Sequence, residues 1–240
     1  MQTAYSNRFK KIFMKLKWWK ILCITLLFFT FIAGFLVQVP IIGNLYESIR
    51  NFFFHVPMWF GMIALLSLSL GYSIAYLRTQ NLKHDIYAAE FAKMGIVFGI
   101  LGLVTGSIWA RYTWGEFWSN DPKQMAAAIA VLIYCAYVVL RGSMTDIDKR
   151  ARVTSVYNIF AYFIYIPLII ILPRLVQSLH PGGMEGAEGG GNPALGGGSL
   201  DPAMRMIFYP AVIGWTLLGI WISNLKIRLS LLSYKNILNG

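Results

Sequence analysis

WARYTWGEFWSNDPK, residues 109–123, lies between two apolar runs, Met94–Ala110 and Gln124–Leu140. Five of its first ten residues are aromatic, yet Arg111, Gly115, Glu116, Asp121, Pro122 and Lys123 are interleaved among them. Neither a buried helix nor a buried strand tolerates that mixture, so the stretch is expected to be a surface loop. Two readings are open. Trp and Tyr collect at membrane interfaces, where a ring meets hydrocarbon and an N–H or O–H meets water. Alternatively, the rings form a platform for a flat, apolar, anionic ligand.

Working outward, the chain is 57% hydrophobic and only 13% charged, with a mean hydropathy of +0.58. Such a composition excludes an ordinary soluble domain. The net charge of +11 raises the question of nucleic acid. The basic residues, however, fall in gaps between apolar runs and form no stripe, so no nucleic-acid partner is expected and membrane lipids are. Cys23 and Cys135 both sit inside apolar runs with no C-x-x-C, and read as packing residues.

With charges taken as fences, six apolar segments emerge: Ile21–Val39, Phe52–Leu77, Met94–Ala110, Gln124–Leu140, Val153–Pro173 and Met206–Leu225. Each can cross, or nearly cross, a hydrocarbon core of about 30 Å. The expected fold is all-α: one polytopic membrane domain over 1–240, with six transmembrane helices at about 18–39, 52–77, 93–110, 122–141, 152–174 and 204–226. The third and fourth segments are the shortest, so loop 109–123 is expected to supply part of the crossing. The first segment, preceded by a basic stretch, is too long for a signal peptide and reads as a retained anchor. Alternate sides carry 16 and 5 of the 21 Lys and Arg residues, which puts both termini inside. Three loops then face outward: 40–51, 109–123 and 174–205. The last contains a glycine-rich run, 181–200, too poor in apolar residues to pack, and expected to be flexible.

The six segments contain no Asp, Glu, Lys or Arg, which leaves no relay for ions inside the bundle and directs attention to its ends. Two of the three histidines, His55 and His180, lie on the side of the aromatic loop. Pro57 suits the first turn of the second helix. His84 is about 30 Å away across the bilayer and cannot join them. Two imidazoles without cysteine are too few for structural zinc, but on opposite sides of a plane they suit haem iron, for which the porphyrin supplies four ligands. Arg111 and Lys123, and also Arg50, Arg174 and Arg205, could pair with propionates or with lipid phosphates. Asp121-Pro122-Lys123 reads as an N-cap followed by proline at the first helical position; a role holding a histidine is the other reading of Asp121. Gly95, Gly99, Gly102 and Gly106 could let the third helix approach a neighbour closely.

These motifs carry a resemblance. Trp114-Gly115-x-x-Trp118-x-x-Asp121 resembles the tryptophan-rich (WWD) signature of the haem-handling membrane proteins of cytochrome c biogenesis, the CcmC/CcmF/CcsA group. His55-Val56-Pro57 before an apolar run is similar to the first histidine motif of the haem exporter protein C (CcmC) family, and Leu179-His180 falls where that family carries its second. The chain departs from the pattern in three places: Asn120 stands at the signature's last tryptophan position, Asp121-Pro122-Lys123 looks more like the CcsA branch, and the glycine-rich outer loop is longer than the family leads one to expect.

The resemblance implies haem b held at the periplasmic face of the bacterial inner membrane. His55 and His180 would be axial ligands to the iron, with Trp109, Trp114, Gly115, Trp118, Asp121, Arg111 and Lys123 around the macrocycle. It implies presentation of the haem to a periplasmic chaperone (CcmE-like), an activity closer to a lyase than to a conventional enzyme. CcmA/CcmB-like ABC transporter subunits and a small CcmD-like subunit are implied as partners. The alternatives are a haem or solute permease subunit of an ABC-type exporter, a CcsA-like cytochrome c synthase component, and a structural subunit.

Overall fold

The computed structural model describes residues 17–40, 43–176, 178–180 and 200–239. All regular structure among them is helical: α1 (Trp18–Leu36), a 3-10 helix (Gly43–Asn51) running directly into α2 (Phe52–Thr79), α3 (Leu82–Trp114), α4 (Pro122–Gly142), α5 (Ile147–Ile166) and α6 (Pro202–Asn239). A π-helical turn, Pro167–Ile171, and a last α-turn, Leu172–Leu175, continue α5. Among the described residues six helices are long and apolar enough to cross a membrane. The glycine-rich run at 181–200 lies outside the described residues except for Leu200, as does the N-terminal basic stretch before Lys17.

An antiparallel pair, α2 and α3, forms the centre; α6 packs on α2 and α3, α1 on α6, and α4 and α5 close the other side. The glycines of α3 explain the closeness of the central pair. A methyl group on Gly95, Gly99, Gly102 or Gly106 would come within 2.7–2.8 Å of Leu66, Met62, Trp59 or His55 respectively. Those residues descend α2 as the glycines ascend α3, in strict antiparallel register, so each large side chain occupies the groove one glycine leaves open. Without a hydrophobic driving force between helices in lipid, such close packing is a principal source of association. The stripe seats His55 and Trp59, at the end of the bundle that the charge count assigns to the outside and is called outer below.

Helix α3 extends beyond the apolar run at both ends: it starts at Leu82 rather than near 93 and continues to Trp114. Lys93 and Arg111 therefore do not bound it, and with 33 residues it needs no help from a loop to cross. Its charges are tolerated because they are paired. Asp85, 3% exposed, accepts a bidentate pair of hydrogen bonds from Arg141 of α4 at 2.7 and 2.5 Å. Glu90 accepts from Lys93 at 2.7 Å and from Ser230 of α6 at 3.2 Å. Trp109–Trp114, expected in the loop, are the last turns of α3. The helix stops at Gly115, where φ is +87°, a left-handed conformation that glycine adopts without a Cβ penalty. Pro57 sits inside α2 rather than in its first turn, because α2 starts at Phe52.

Candidate functional site

A cavity of about 440 Å³ opens at the outer end among α2, α3, α4 and the π turn of α5. That is within the size of small-molecule sites. His55, Trp59 and Phe60 of α2, Trp109 of α3, Trp118, Lys123 of α4, Ile169 of the π turn and His180 all line it. Sequence reading missed the π turn, which a run of apolar residues does not announce. Its proline context, Pro167 and Pro173, was the available signal, since a proline disrupts the regular ladder and local widening is one way to absorb it.

His55 projects from the second turn of α2 into the groove above Gly106, with Trp59 and Trp109 edge-on to its ring at centroid distances of 6.2 and 5.9 Å. Its Nδ1 lies 3.1 Å from Thr105 Oγ1. The Thr105 hydroxyl proton is directed to the Leu101 carbonyl at 2.7 Å. Its oxygen is thus left to accept, and His55 donates from Nδ1, leaving Nε2 as the nitrogen with a free lone pair. Trp109 is fixed in turn by donating Nε1–H to Ser48 Oγ at 3.1 Å.

His180 is held by Asp121. The Nδ1–H donates to Asp121 Oδ1 at 2.9 Å, and because a carboxylate only accepts, Nε2 is again the basic nitrogen. Asp121 also accepts from the backbone N–H of Lys123 at 2.9 Å and of Gln124 at 3.4 Å, capping α4. Ser178 Oγ at 2.8 Å and the Leu179 N–H at 2.7 Å complete its shell. Both readings of Asp121 therefore describe one side chain: it caps a helix and binds the histidine segment. Burial by itself would raise this carboxyl, but the hydrogen bonds from His180, Ser178 and Leu179 outweigh it and hold the group well below the usual carboxylate range. The carboxylate thus orients His180 without removing its proton.

The remaining expected residues divide. Trp114 packs edge-on against His180, with ring centroids 4.7 Å apart. Gly115 ends α3, as described. Arg111 turns back to its own helix end, where Nη1 donates to the Gly115 carbonyl, and its guanidinium lies 5.9 Å from the centre of the Phe117 ring; neither contact is in the cavity. Arg50 donates to the carbonyls of Gly34 and Val37 at 3.0 and 2.7 Å and so caps α1. The Arg174 side chain lies outside the described residues, and Arg205 does not line the cavity. Lys123 does line it. Asn120, at the signature's tryptophan position, has φ +55° and accepts from Trp118 Nε1 at 3.2 Å. Asn is among the few residues that enter the left-handed region readily, which a tryptophan does at greater cost. His84 lies at the opposite end, bonded to Thr79 at 2.9 Å.

Two available imidazole nitrogens, aromatic walls and one lining cation are a donor set that fits haem. Among the described residues no group of three or more His, Cys, Asp or Glu could hold a bare metal ion.

The profile of the CcmC family, heme exporter protein C, matches residues 1–236. The chain belongs to this family. Heme exporter protein C of Bradyrhizobium diazoefficiens is 28% identical over 176 residues, 71% of this chain and 62% of that protein. Heme exporter protein C of Escherichia coli K12 is 23% identical over 185 residues, 76% of this chain and 70% of that one. The cytochrome c biogenesis protein CcsA of Pelargonium hortorum is 31% identical over 109 residues, 45% of this chain and 34% of that protein. The chain is thus similar both to proteins named heme exporter protein C and to proteins named CcsA.

Proposed function

We propose that this membrane protein of the heme exporter C family binds haem at the periplasmic end of its helix bundle and presents it to a periplasmic haem chaperone (CcmE-like) during c-type cytochrome biogenesis. One observation carries the reading: His55 and His180, far apart in sequence, line one cavity, and each has Nδ1 committed to a protein acceptor so that Nε2 remains to bind a metal. Haem, the cargo, would supply the iron for those nitrogens and the vinyl edge offered to the chaperone. The residues of the chain then do the rest. Thr105 and Asp121 fix the tautomers and ring angles, Trp59, Trp109 and Trp118 wall the plane, Lys123 offers a cation to an anionic edge, and the apolar π turn excludes water. By family context, CcmA/CcmB-like transporter subunits and a small CcmD-like subunit are the expected partners.

The test is the absorption spectrum of detergent-purified protein, oxidised and after dithionite, beside His55→Ala and His180→Ala. Support is a six-coordinate low-spin spectrum in the wild type that each substitution converts to high spin or weakens. A wild type that takes up no haem when loaded, or variants with unchanged spectra, would overturn the assignment.

A further inference from the structure

Helices α2 and α5 are fastened together below the cavity. Ser67 Oγ and Tyr162 Oη lie 2.6 Å apart, and further in Asn158 Nδ2 donates to Ser69 Oγ and Ser73 Oγ at 2.8 Å each. Above Ser67 no further hydrogen bond joins α2 to the α5 side among the described residues. Among the described residues the π turn that continues α5 packs mainly on α4, and α6 packs mainly on α1, α2 and α3. The cavity lining on this side is apolar: Phe52, Val56, Phe60 and Ile63 share one face of α2, with Phe52 and Phe60 resting on Phe208 of α6 at 4.8 and 5.7 Å, and Leu168 and Ile169 stand opposite on the π turn, all half-buried. Exposed apolar side chains stand on both elements, Leu68 next to Ser67 on α2 and Phe163, Ile164 and Ile171 on the α5 side. In a spanning helix bundle, large apolar side chains exposed at this depth face lipid rather than water.

We propose that the cavity has a lateral mouth between α2 and the π turn, open to the outer leaflet, and that its ligand arrives through it from the lipid. The proposal rests on the haem reading for the ligand's identity, a flat apolar molecule with an anionic edge, but the mouth itself stands on the geometry. The only charged side chain among the described residues lining the cavity is Lys123, at the outer end of α4. A porphyrin moving sideways through the mouth would therefore keep its carboxylates at the membrane surface and slide its apolar body past Phe60, Ile63 and Ile169. Such a path brings the plane between the two histidines without drawing charge through hydrocarbon, whose cost is several kcal/mol per charge. It also explains the site's construction. Histidines on a rigid helix and on a pinned loop wait at the far end of a slot, and the Ser67–Tyr162 bond, one turn further in than Ile63, joins the two helices that carry its walls.

The experiment is spin-label accessibility in liposomes. The full chain, with Cys23→Ala and Cys135→Ala, receives a nitroxide at Ile169→Cys or, on the opposite wall, at Ile63→Cys. Collision rates are then read with lipid-soluble oxygen and with a water-soluble nickel chelate, before and after loading with haem. The expected result is several-fold greater access for oxygen than for the chelate at both sites, and a loss of oxygen access once the Soret band shows haem bound. Equal or greater access for the chelate would overturn the mouth in favour of an aqueous opening, and no access for either would show a closed wall. If oxygen access is high but bound haem leaves it unchanged at both sites, the lateral route fails. If no haem binds at all while oxygen access stays high, the mouth survives and the haem reading fails.

Discussion

Replacing Gly106 by alanine places a methyl carbon 2.7 Å from Cε1 of His55. Carbon atoms rest at about 3.5–4.0 Å, so the ring has to retreat by about 0.8 Å or more. Its room is small: Nδ1 already lies 3.1 Å from Thr105 Oγ1, near the outer limit for a hydrogen bond, and Trp59 and Trp109 stand edge-on to the ring. A ligand displaced by more than about 0.5 Å leaves productive geometry. Stability should suffer much less. Overpacking costs about 1–3 kcal/mol and the glycine-to-alanine exchange within a helix returns about 1 kcal/mol, leaving a net loss of about 0–2 kcal/mol. The chain should fold with a Tm lowered by no more than about 8 °C, while its haem spectrum moves from low toward high spin. Gly95→Ala makes the same clash with Leu66, also at 2.7 Å, away from the site. Gly71→Ala meets nothing within 4 Å. Absorption spectra and melting curves of the three variants separate packing from ligation. Gly106→Ala with a wild-type spectrum and affinity, or Gly95→Ala with an equally altered one, would refute the role given to the glycine groove.

Thr105→Val keeps the shape but removes the acceptor of the His55 Nδ1–H, and should weaken haem binding by about 10–100-fold in titrations with little change in melting. Asp121→Ala removes a cap and several charge-assisted hydrogen bonds and should cost about 2–4 kcal/mol by thermal unfolding, whereas Asp121→Asn, which still caps, should retain more of that stability yet lose orientation of His180. Because the folded Asp121 carboxyl is depressed, its contribution is fully present above the unfolded value of about 3.9 and is lost only as pH falls through the lower folded value, so wild-type melting should show no Asp121-dependent change between about pH 8 and 5. Arg141→Gln strands Asp85 in the bundle and should cost about 3–5 kcal/mol, while Asp85→Leu combined with Arg141→Met should restore most of it; both should leave the haem spectrum of the folded fraction unchanged.

Much of the site was legible because its signals are local. Asp121 before Pro122 announces a cap, and the glycines of α3 recur at spacings of three and four, which is a helix face. The rest was not, for equally physical reasons. Charged residues were taken as fences because an unpaired charge cannot enter hydrocarbon, but Asp85 finds Arg141 across 56 positions and the helix runs on. Arg111 reads like an anion ligand by its place among the rings, yet a helix C-terminus has free carbonyls, and the nearest cation satisfies one of them.

The sequence by itself determined the six apolar helices and the sidedness of their charges, and it put two histidines and the aromatic stretch at one end, because hydropathy, capping and glycine spacing act over one or two turns. Only the tertiary structure decided that α2 lies in the glycine groove of α3, that Asp121 joins the start of α4 to His180 across 59 positions, and that α2 and the π turn line one cavity. Those are contacts between distant segments, fixed by packing and by the need to pair every buried polar group, and no local pattern contains them.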